Sequence, residues 1–305
     1  MPIAVKWLSL EKIYSHTIMI KRLSFSSLFL IGLSTVLYAS KVDTVNVFSP
    51  SMQKEIKTVV IIPDAYSQET EFPVLYLLHG YSDNYGGWVN KVPAVKELAD
   101  WHDMIVVCPD GAYGSWYFDS PVDPAYKFET FVSKELVDWV DKNYKTVRKR
   151  EGRAITGLSM GGHGGLYLGF RHQDVYGACG SMSGGVDIRP FPNNWDLAKR
   201  LGTQRENPDN WEKNTVMNQL HLLTPNSSRI IIDCGSGDFF YEVNVRLHQE
   251  LLYRNIPHDF ISRPGVHNWE YWANAIKYQA LFFNDYFDAG KASSSPSANT
   301  HRGRR

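Results

Sequence analysis

Short apolar runs alternate along the chain with longer stretches that mix apolar and polar residues. A continuous apolar run such as Pro73-Val74-Leu75-Tyr76-Leu77-Leu78 is typical of a strand buried on both faces of a parallel sheet. The alternation predicts a doubly wound α/β domain, with a mostly parallel central sheet flanked by helices. The predicted strands lie near Val59, Val74, Ile105, Ile155, Ala178, Ile230 and Phe260, and the predicted helices are 92–101, 128–144, 161–171, 241–254 and 269–287.

The N-terminal part of the chain has the composition of a targeting segment. Lys21-Arg22 precede an apolar segment from about Leu28 to Tyr38. This order is typical of a secretory signal peptide, so residues 1–39 are assigned to one, and a start at Met19 would make 1–18 an upstream extension. The apolar segment is short for a transmembrane span, which is the alternative interpretation. We therefore expect a secreted or periplasmic protein without a stable membrane anchor.

Residues 40–288 are expected to form one folded domain, since 43% of the chain is hydrophobic and can supply a large core. Within it, residues 187–225 interrupt the strand and helix pattern with several prolines and tryptophans, which predicts an insertion between two core strands. The serine-rich residues 289–305 cannot bury enough apolar area to order themselves and are expected to form a disordered tail.

Net charge and the pattern of cysteines limit the partners and cofactors that are expected. Lys and Arg together number 32, as do Asp and Glu, so the formal net charge is zero and no nucleic-acid partner is expected. Neither C-x-x-C nor H-E-x-x-H occurs, so no metal or other cofactor is expected. Cys108, Cys179 and Cys234 lie in apolar strands and are predicted to be free, with a Cys179–Cys234 disulfide as the alternative in an oxidising compartment.

One glycine-flanked serine stands between a predicted strand and a predicted helix. Gly157-Leu158-Ser159-Met160-Gly161 follows the apolar Ala154-Ile155-Thr156 and precedes the helix 161–171. A G-x-S-x-G turn of this kind holds its serine in strained backbone geometry at a sharp corner, where only small flanking residues avoid a clash. Ser159 is therefore the candidate nucleophile.

Candidates for an acid and a base follow two later strands. Asp238 lies in the loop after the buried strand 229–234, and His267 follows the strand 258–262. The order serine, aspartate, histidine is the one expected of an α/β-hydrolase. Asp233 is the alternative acid, but it lies inside the strand pattern, whereas Asp238 lies beyond the end of the strand.

Five motifs together carry a family resemblance. They are Tyr76-Leu77-Leu78-His79-Gly80, Ser115-Trp116-Tyr117-Phe118-Asp119-Ser120-Pro121, Gly157-Leu158-Ser159-Met160-Gly161-Gly162, Asp233-Cys234-Gly235 with Asp238, and Gly265-Val266-His267 with Trp269. From about Val45 to Phe287 the chain resembles the esterase D family, which groups S-formylglutathione hydrolases, feruloyl and acetylxylan esterases and mycobacterial mycolyltransferases. Many relatives have a second glycine or a glycine-histidine pair before the base, where this chain has Gly265-Val266.

The resemblance implies an α/β-hydrolase fold in which Ser159 is the nucleophile, His267 the base and Asp238 the acid that orients it. By position, the backbone N–H groups of Tyr81 and Met160 are the candidate oxyanion hole.

Trp116 follows the strand end at Pro109-Asp110, on the face where open α/β sheets bind ligands. It is therefore the candidate to stack on a sugar or phenolic ring of the substrate. Packing inside its own loop is the alternative.

Export and nearby aromatic residues favour a serine carboxylesterase that removes feruloyl or acetyl groups from plant polysaccharide, with a small-molecule or polysaccharide ester as its partner. Acyl transfer of the mycolyltransferase type is the main alternative, because the same triad serves both reactions. A thioesterase similar to S-formylglutathione hydrolase is disfavoured by export, since that chemistry is cytosolic. A non-catalytic glycan-binding protein is disfavoured by the intact serine, aspartate and histidine set.

Overall fold

A central eight-stranded sheet organises the protein. The computed structural model describes residues 40–294, with side chains described as far as Lys291. The strands are β1 (Lys41–Ser49), β2 (Lys54–Ile62), β3 (Val74–Leu78), β4 (Ile105–Pro109), β5 (Arg153–Gly157), β6 (Ala178–Met182), β7 (Arg229–Gly235) and β8 (Asp259–Arg263). Their order across the sheet is β1-β2-β4-β3-β5-β6-β7-β8. β2 pairs antiparallel with β1 and β4, and every other neighbouring pair is parallel, which confirms the predicted mostly parallel sheet.

Helices cover both faces of this sheet. Along β3, Val74, Tyr76 and Leu78 pack into one apolar core, and the alternating Leu75 and Leu77 pack into another on the opposite face. This two-sided burial is what produces the continuous apolar run in the sequence. The helices are α1 (Gly87–Lys91), α2 (Ala94–Trp101), α3 (Phe128–Thr130, the π-helical Phe131–Glu135 and Leu136–Asn143), α4 (Met160–Arg171), α5 (Leu197–Leu201), α6 (Pro208–Lys213), α7 (Tyr241–Tyr253) and α8 (Trp269–Ser294).

Outside the insertion, the described part of the chain differs from the predicted elements in β1, in the short helix α1 and at the end of α8. β1 was missed because it is an edge strand whose side chains are mostly exposed or half-buried, so its apolar signal is weak. The predicted disordered tail begins too early: α8 continues to Ser294, so residues 289–294 are helical. Ala289 favours a helix, and Lys291 pairs with Asp288 one turn earlier.

The predicted signal peptide, residues 1–39, and the remaining predicted tail, 295–305, lie outside the described residues. Within residues 40–294, no helix has both the length and the apolar character needed to cross a membrane. The predicted insertion lies between β6 and β7 and contains α5, α6 and a 3₁₀ helix, Val216–Leu222.

All three cysteines are buried and free, so the alternative disulfide is not formed. Burial raises the pKa of Cys108 to about 12 and raises the pKa values of Cys179 and Cys234 as well. Because the thiolate is the reactive form, we expect no alkylation of the folded protein by iodoacetamide at pH 8. Intact mass spectrometry should show three added groups after unfolding in guanidinium chloride. Rapid labelling of the folded protein would contradict this expectation.

Candidate active site

The turn between β5 and α4 holds Ser159 in an unusual backbone conformation, with φ 55° and ψ −115°. Such a conformation costs about 1–3 kcal/mol and persists only where the surrounding structure imposes it. Here the Ser159 N–H donates to the Met182 carbonyl at 2.9 Å. A Cβ on Gly157 or Gly161 would lie 2.6 or 2.5 Å from the Leu78 carbonyl oxygen, so both positions require glycine. The G-x-S-x-G pattern therefore has a steric cause.

Ser159, His267 and Asp238 form one hydrogen-bonded chain. Ser159 Oγ lies 2.9 Å from His267 Nε2, and His267 Nδ1 lies 2.8 Å from Asp238 Oδ2. Since a carboxylate only accepts, Nδ1 carries the proton of the neutral ring, and Nε2 is left to accept from the serine hydroxyl. The Asp238 side chain is fully buried, and its Oδ1 accepts from the Phe240 N–H at 2.8 Å. This geometry allows His267 to take the serine proton.

The loops that carry the acid and the base are bonded to each other. The Gly237 N–H donates to the Gly265 carbonyl, and the Ser236 N–H donates to the Arg263 carbonyl, both at 2.9 Å. Tyr271 packs so closely on Gly265 that a Cβ there would lie 2.1 Å from its ring. The relative position of the two loops is therefore set by backbone contacts, and Gly265-Val266 leaves the loop intact despite its departure from the pattern of many relatives.

Asp233, the alternative acid, lies within β7 and serves a different network. Its fully buried carboxylate accepts from Tyr271 Oη and from Arg263 Nη2. Burial raises its pKa, with the two partners acting in the opposite direction. Its two oxygens bond to these side chains, and His267 bonds to Asp238.

Two backbone N–H groups belong to the segments around Ser159: that of the next residue, Met160, and that of Tyr81, which follows Gly80. A Cβ on Gly80 would lie 3.5 Å from Ser159 Cβ, so the loop Gly80–Tyr81 passes directly beside the serine. Neither the Tyr81 N–H nor the Met160 N–H donates a hydrogen bond to another described residue. Unpaired N–H groups beside a nucleophile are the arrangement that an oxyanion hole requires.

His79 holds this loop in place. The Gly111 N–H donates to His79 Nε2 at 2.7 Å, so Nδ1 carries the proton and donates to the Gly80 carbonyl at 2.8 Å. The Tyr117 hydroxyl donates to the His79 carbonyl at 3.1 Å. The buried histidine thus connects the end of β3 with the loop after β4.

The structure favours the alternative for Trp116, packing inside the fold, over the predicted contact with substrate. Trp116 is only 1% exposed, and its indole N–H donates to the Trp195 carbonyl at 3.0 Å. Its ring also packs against His163 and Trp195. Trp116 does lie in the loop after a strand end, as predicted. Its side chain is covered by the insertion, and this long-range contact could not be predicted from the local sequence.

Sequence reasoning missed the aromatic residues that do border the triad. Phe239 is 53% exposed, and its ring centroid lies 4.2 Å from that of His267. Trp195, from the insertion, stacks on Phe239 at 5.7 Å with an interplanar angle of 17°. The one sequence signal that Phe239 would lie near the site was its position directly after the candidate acid, Asp238.

One cavity lies away from Ser159, Asp238 and His267. It has a volume of about 1040 Å³ and is lined by residues of α3, by the end of α4 and by residues 212–221. Its central carboxylate, Glu129, already accepts from Tyr167, Arg171 and His172. We therefore assign this network to stability, because the candidate nucleophile and the candidate base both lie elsewhere. Among the described residues no group of three His, Cys, Asp or Glu side chains is placed to hold a metal ion.

Three comparisons place the chain among known proteins. The diacylglycerol acyltransferase/mycolyltransferase Ag85A of Mycobacterium tuberculosis is 28% identical over 281 residues, covering 77% of this chain and 79% of that protein. The acetyl esterase of Caldicellulosiruptor saccharolyticus is 25% identical over 268 residues, covering 77% and 97%. A solved ferulic acid esterase is 30% identical with a TM-score of 0.71, over 82% of this chain and 99% of that one.

Residues 49–283 match the model of the family described as "Putative esterase". The match covers most of the chain, and it confirms the resemblance found in the motifs. The sheet order and the similar structures agree on the fold. The chain therefore belongs to the Putative esterase family and is a carboxylic ester hydrolase with the α/β-hydrolase fold.

Proposed function

We propose that the protein is an exported serine carboxylesterase that hydrolyses feruloyl or acetyl esters on plant polysaccharide. The observation that carries the reaction type is the chain of hydrogen bonds from Ser159 through His267 to Asp238. Export is supported by the order of Lys21-Arg22 and the following apolar segment.

In the proposed mechanism, Ser159 Oγ attacks the ester carbonyl while its proton moves to His267 Nε2. Asp238 stabilises the imidazolium that forms and keeps the ring in the productive tautomer. The same proton then passes to the leaving alcohol as the carbon–oxygen bond of the ester breaks. Water, activated by His267, attacks the resulting acyl-enzyme and releases the free acid.

Negative charge develops on the carbonyl oxygen in both tetrahedral intermediates. The N–H groups of Tyr81 and Met160 are the proposed donors to that oxygen, since both lie beside Ser159 without another acceptor. Donors that are already oriented stabilise the transition state without reorganisation during the reaction.

The aromatic pair beside His267, Phe239 and Trp195, supports a substrate with an aromatic acyl group. Phe239 is exposed beside His267, and Trp195 extends the same surface. A phenolic ring can stack offset on such a surface, which contributes about 0.5–1.5 kcal/mol beyond the buried area. The similarity to a ferulic acid esterase at 30% identity also supports an aromatic acyl group.

Ferulate and acetate release from arabinoxylan tests the substrate class. We expect the wild type to release ferulate, and Phe239→Ala to raise KM for methyl ferulate about threefold to tenfold, because the stacking surface is lost. Liquid chromatography of the products and steady-state kinetics provide the measurement.

Nitrophenyl acetate serves as the matched control, since its acetyl group has no ring that could stack on the aromatic pair. Phe239→Ala should leave its kcat/KM within about twofold of wild type. Hydrolysis of nitrophenyl esters without any release from arabinoxylan would contradict the polysaccharide assignment while leaving the serine mechanism intact.

Acyl transfer is the second candidate, and the similarity to Ag85A favours it. In transfer, an alcohol of a sugar replaces water in attacking the acyl-enzyme, so the same residues serve. Products formed in the presence of a xylose oligomer as sugar acceptor separate the two functions. Free acid alone supports hydrolysis, whereas an acylated sugar supports transfer.

A further inference from the structure

The loop that carries Tyr81 is bonded to the insertion between β6 and β7. Tyr81 Oη donates to Asp196 Oδ2 at 3.2 Å, across 115 positions of the chain. Burial, followed by the neighbouring Asp196 carboxylate, raises the pKa of Tyr81 to about 12. The phenol therefore keeps its proton at neutral pH and remains the donor in this bond.

Tyr81 also packs against the loop after β4. The ring packs edge-on against Tyr113 at 4.9 Å, and a Cβ on Gly114 would lie 2.9 Å from it. The next residue, Ser82, donates its N–H to the Tyr113 carbonyl at 2.8 Å. The Tyr81 side chain is thus held by both the loop after β4 and Asp196, and the preceding residue, Gly80, lies beside Ser159.

Asp196 itself is held in a costly conformation. Trp195 and Asp196 have φ values of 47° and 57°, in the left-handed region that non-glycine residues seldom adopt. Trp116 donates its indole N–H to the Trp195 carbonyl and fixes this segment, whereas the pairing of the exposed Lys199 with Asp196 Oδ1 at 3.0 Å contributes little. Consecutive strained residues must be held in place by the contacts around them, and such residues are concentrated at functional sites. This also accounts for the buried Trp116, which fastens the strained segment.

We propose that Asp196 is a positioning residue of the reaction, which holds Tyr81 so that its backbone N–H is aimed at the developing oxyanion. The insertion would thereby complete the oxyanion hole instead of only covering the site. This inference rests on the proposed function. Since an oriented donor acts mainly in the transition state, the bond between Tyr81 and Asp196 affects kcat and leaves KM nearly unchanged.

The test compares Tyr81→Phe, Asp196→Ala and the double variant in steady-state hydrolysis of nitrophenyl acetate. Each single variant should lower kcat about tenfold, less than the roughly 10²–10³-fold lost when a donor is removed outright. The double variant should match the single variants, because all three remove the same bond. Asp196→Asn keeps an acceptor oxygen and should retain most of the wild-type kcat.

Inhibition by phenylboronic acid adds a readout that a purely structural role would not move. Its tetrahedral adduct on Ser159 places an oxygen where the oxyanion forms, so the inhibition constant should rise by the same factor as kcat falls. Lys199→Met is the matched control: it removes the pairing at Asp196 Oδ1 and leaves the bond to Tyr81, and it should retain wild-type kcat.

Wild-type kcat in both single variants would overturn the inference, as would losses that multiply in the double variant or a raised KM at unchanged kcat. Tyr81→Phe retains the ring packing, so a melting temperature near that of wild type ensures that the comparison concerns folded protein.

Ser159→Ala separates the two proposals. Activity in Ser159→Ala refutes the proposed function, whereas an inactive Ser159→Ala beside a fully active Tyr81→Phe refutes only the role of Asp196.

Discussion

Ser159→Ala is expected to lower kcat for nitrophenyl acetate by about 10⁶-fold, the loss typical of removing the nucleophile from a serine triad. The physical reason is that His267 then has no hydroxyl within reach, and the acyl-enzyme cannot form. The measurement is the absorbance of released nitrophenol in assays at high enzyme concentration. The remaining rate should show no burst of nitrophenol, since a burst requires an acyl-enzyme that accumulates.

Ser183→Ala is the matched control for this variant. Ser183 is also a buried serine with a positive φ, 50°, and it lies just beyond β6. It does not bond to His267, so its replacement should leave kcat within about threefold of wild type, as expected away from the reacting atoms. Equal activity of Ser159→Ala and wild type would refute the serine mechanism.

Asp238→Asn is expected to lower kcat by about 10⁴-fold, through the wrong tautomer of the base. The Phe240 N–H donates to Oδ1 and would hold the amide oxygen of the asparagine there. The amide NH₂ would then face His267 Nδ1, which must accept, and the ring proton would move to Nε2. A ring protonated at Nε2 cannot take the serine proton. The rate is measured with nitrophenyl acetate at pH 8.

Asp233→Asn separates the two candidate acids. It removes the charge opposite Arg263 inside the fold, so we expect a lower melting temperature and a loss of up to a few kcal/mol in the free energy of unfolding. The tautomer of His267 is untouched, so kcat of the folded protein should stay within about fivefold of wild type. A 10⁴-fold loss in Asp233→Asn with an active Asp238→Asn would reverse the assignment.

Much of the fold could be predicted because parallel strands buried on both faces leave a continuous apolar signal. Six of the eight strands, β2 to β7, were predicted from this signal, and β8, which is exposed or half-buried, was predicted from the shorter apolar stretch around Phe260. β1 was missed because one of its faces meets solvent at the edge of the sheet. The end of α8 was misplaced because a serine-rich composition concealed a helical pair, Asp288 and Lys291.

The sequence by itself determined the positions of seven strands, the mostly parallel character of the sheet and the choice of Ser159, Asp238 and His267 as candidates. Those inferences depend on short-range patterns: steric demand at the elbow requires glycine, and the ends of strands reveal which loops meet at one edge. Only the tertiary structure decided which side chains surround these residues. Trp116 is covered, Phe239 is exposed, and Asp196 reaches Tyr81, because contacts across more than 70 positions depend on how the insertion folds over the sheet edge.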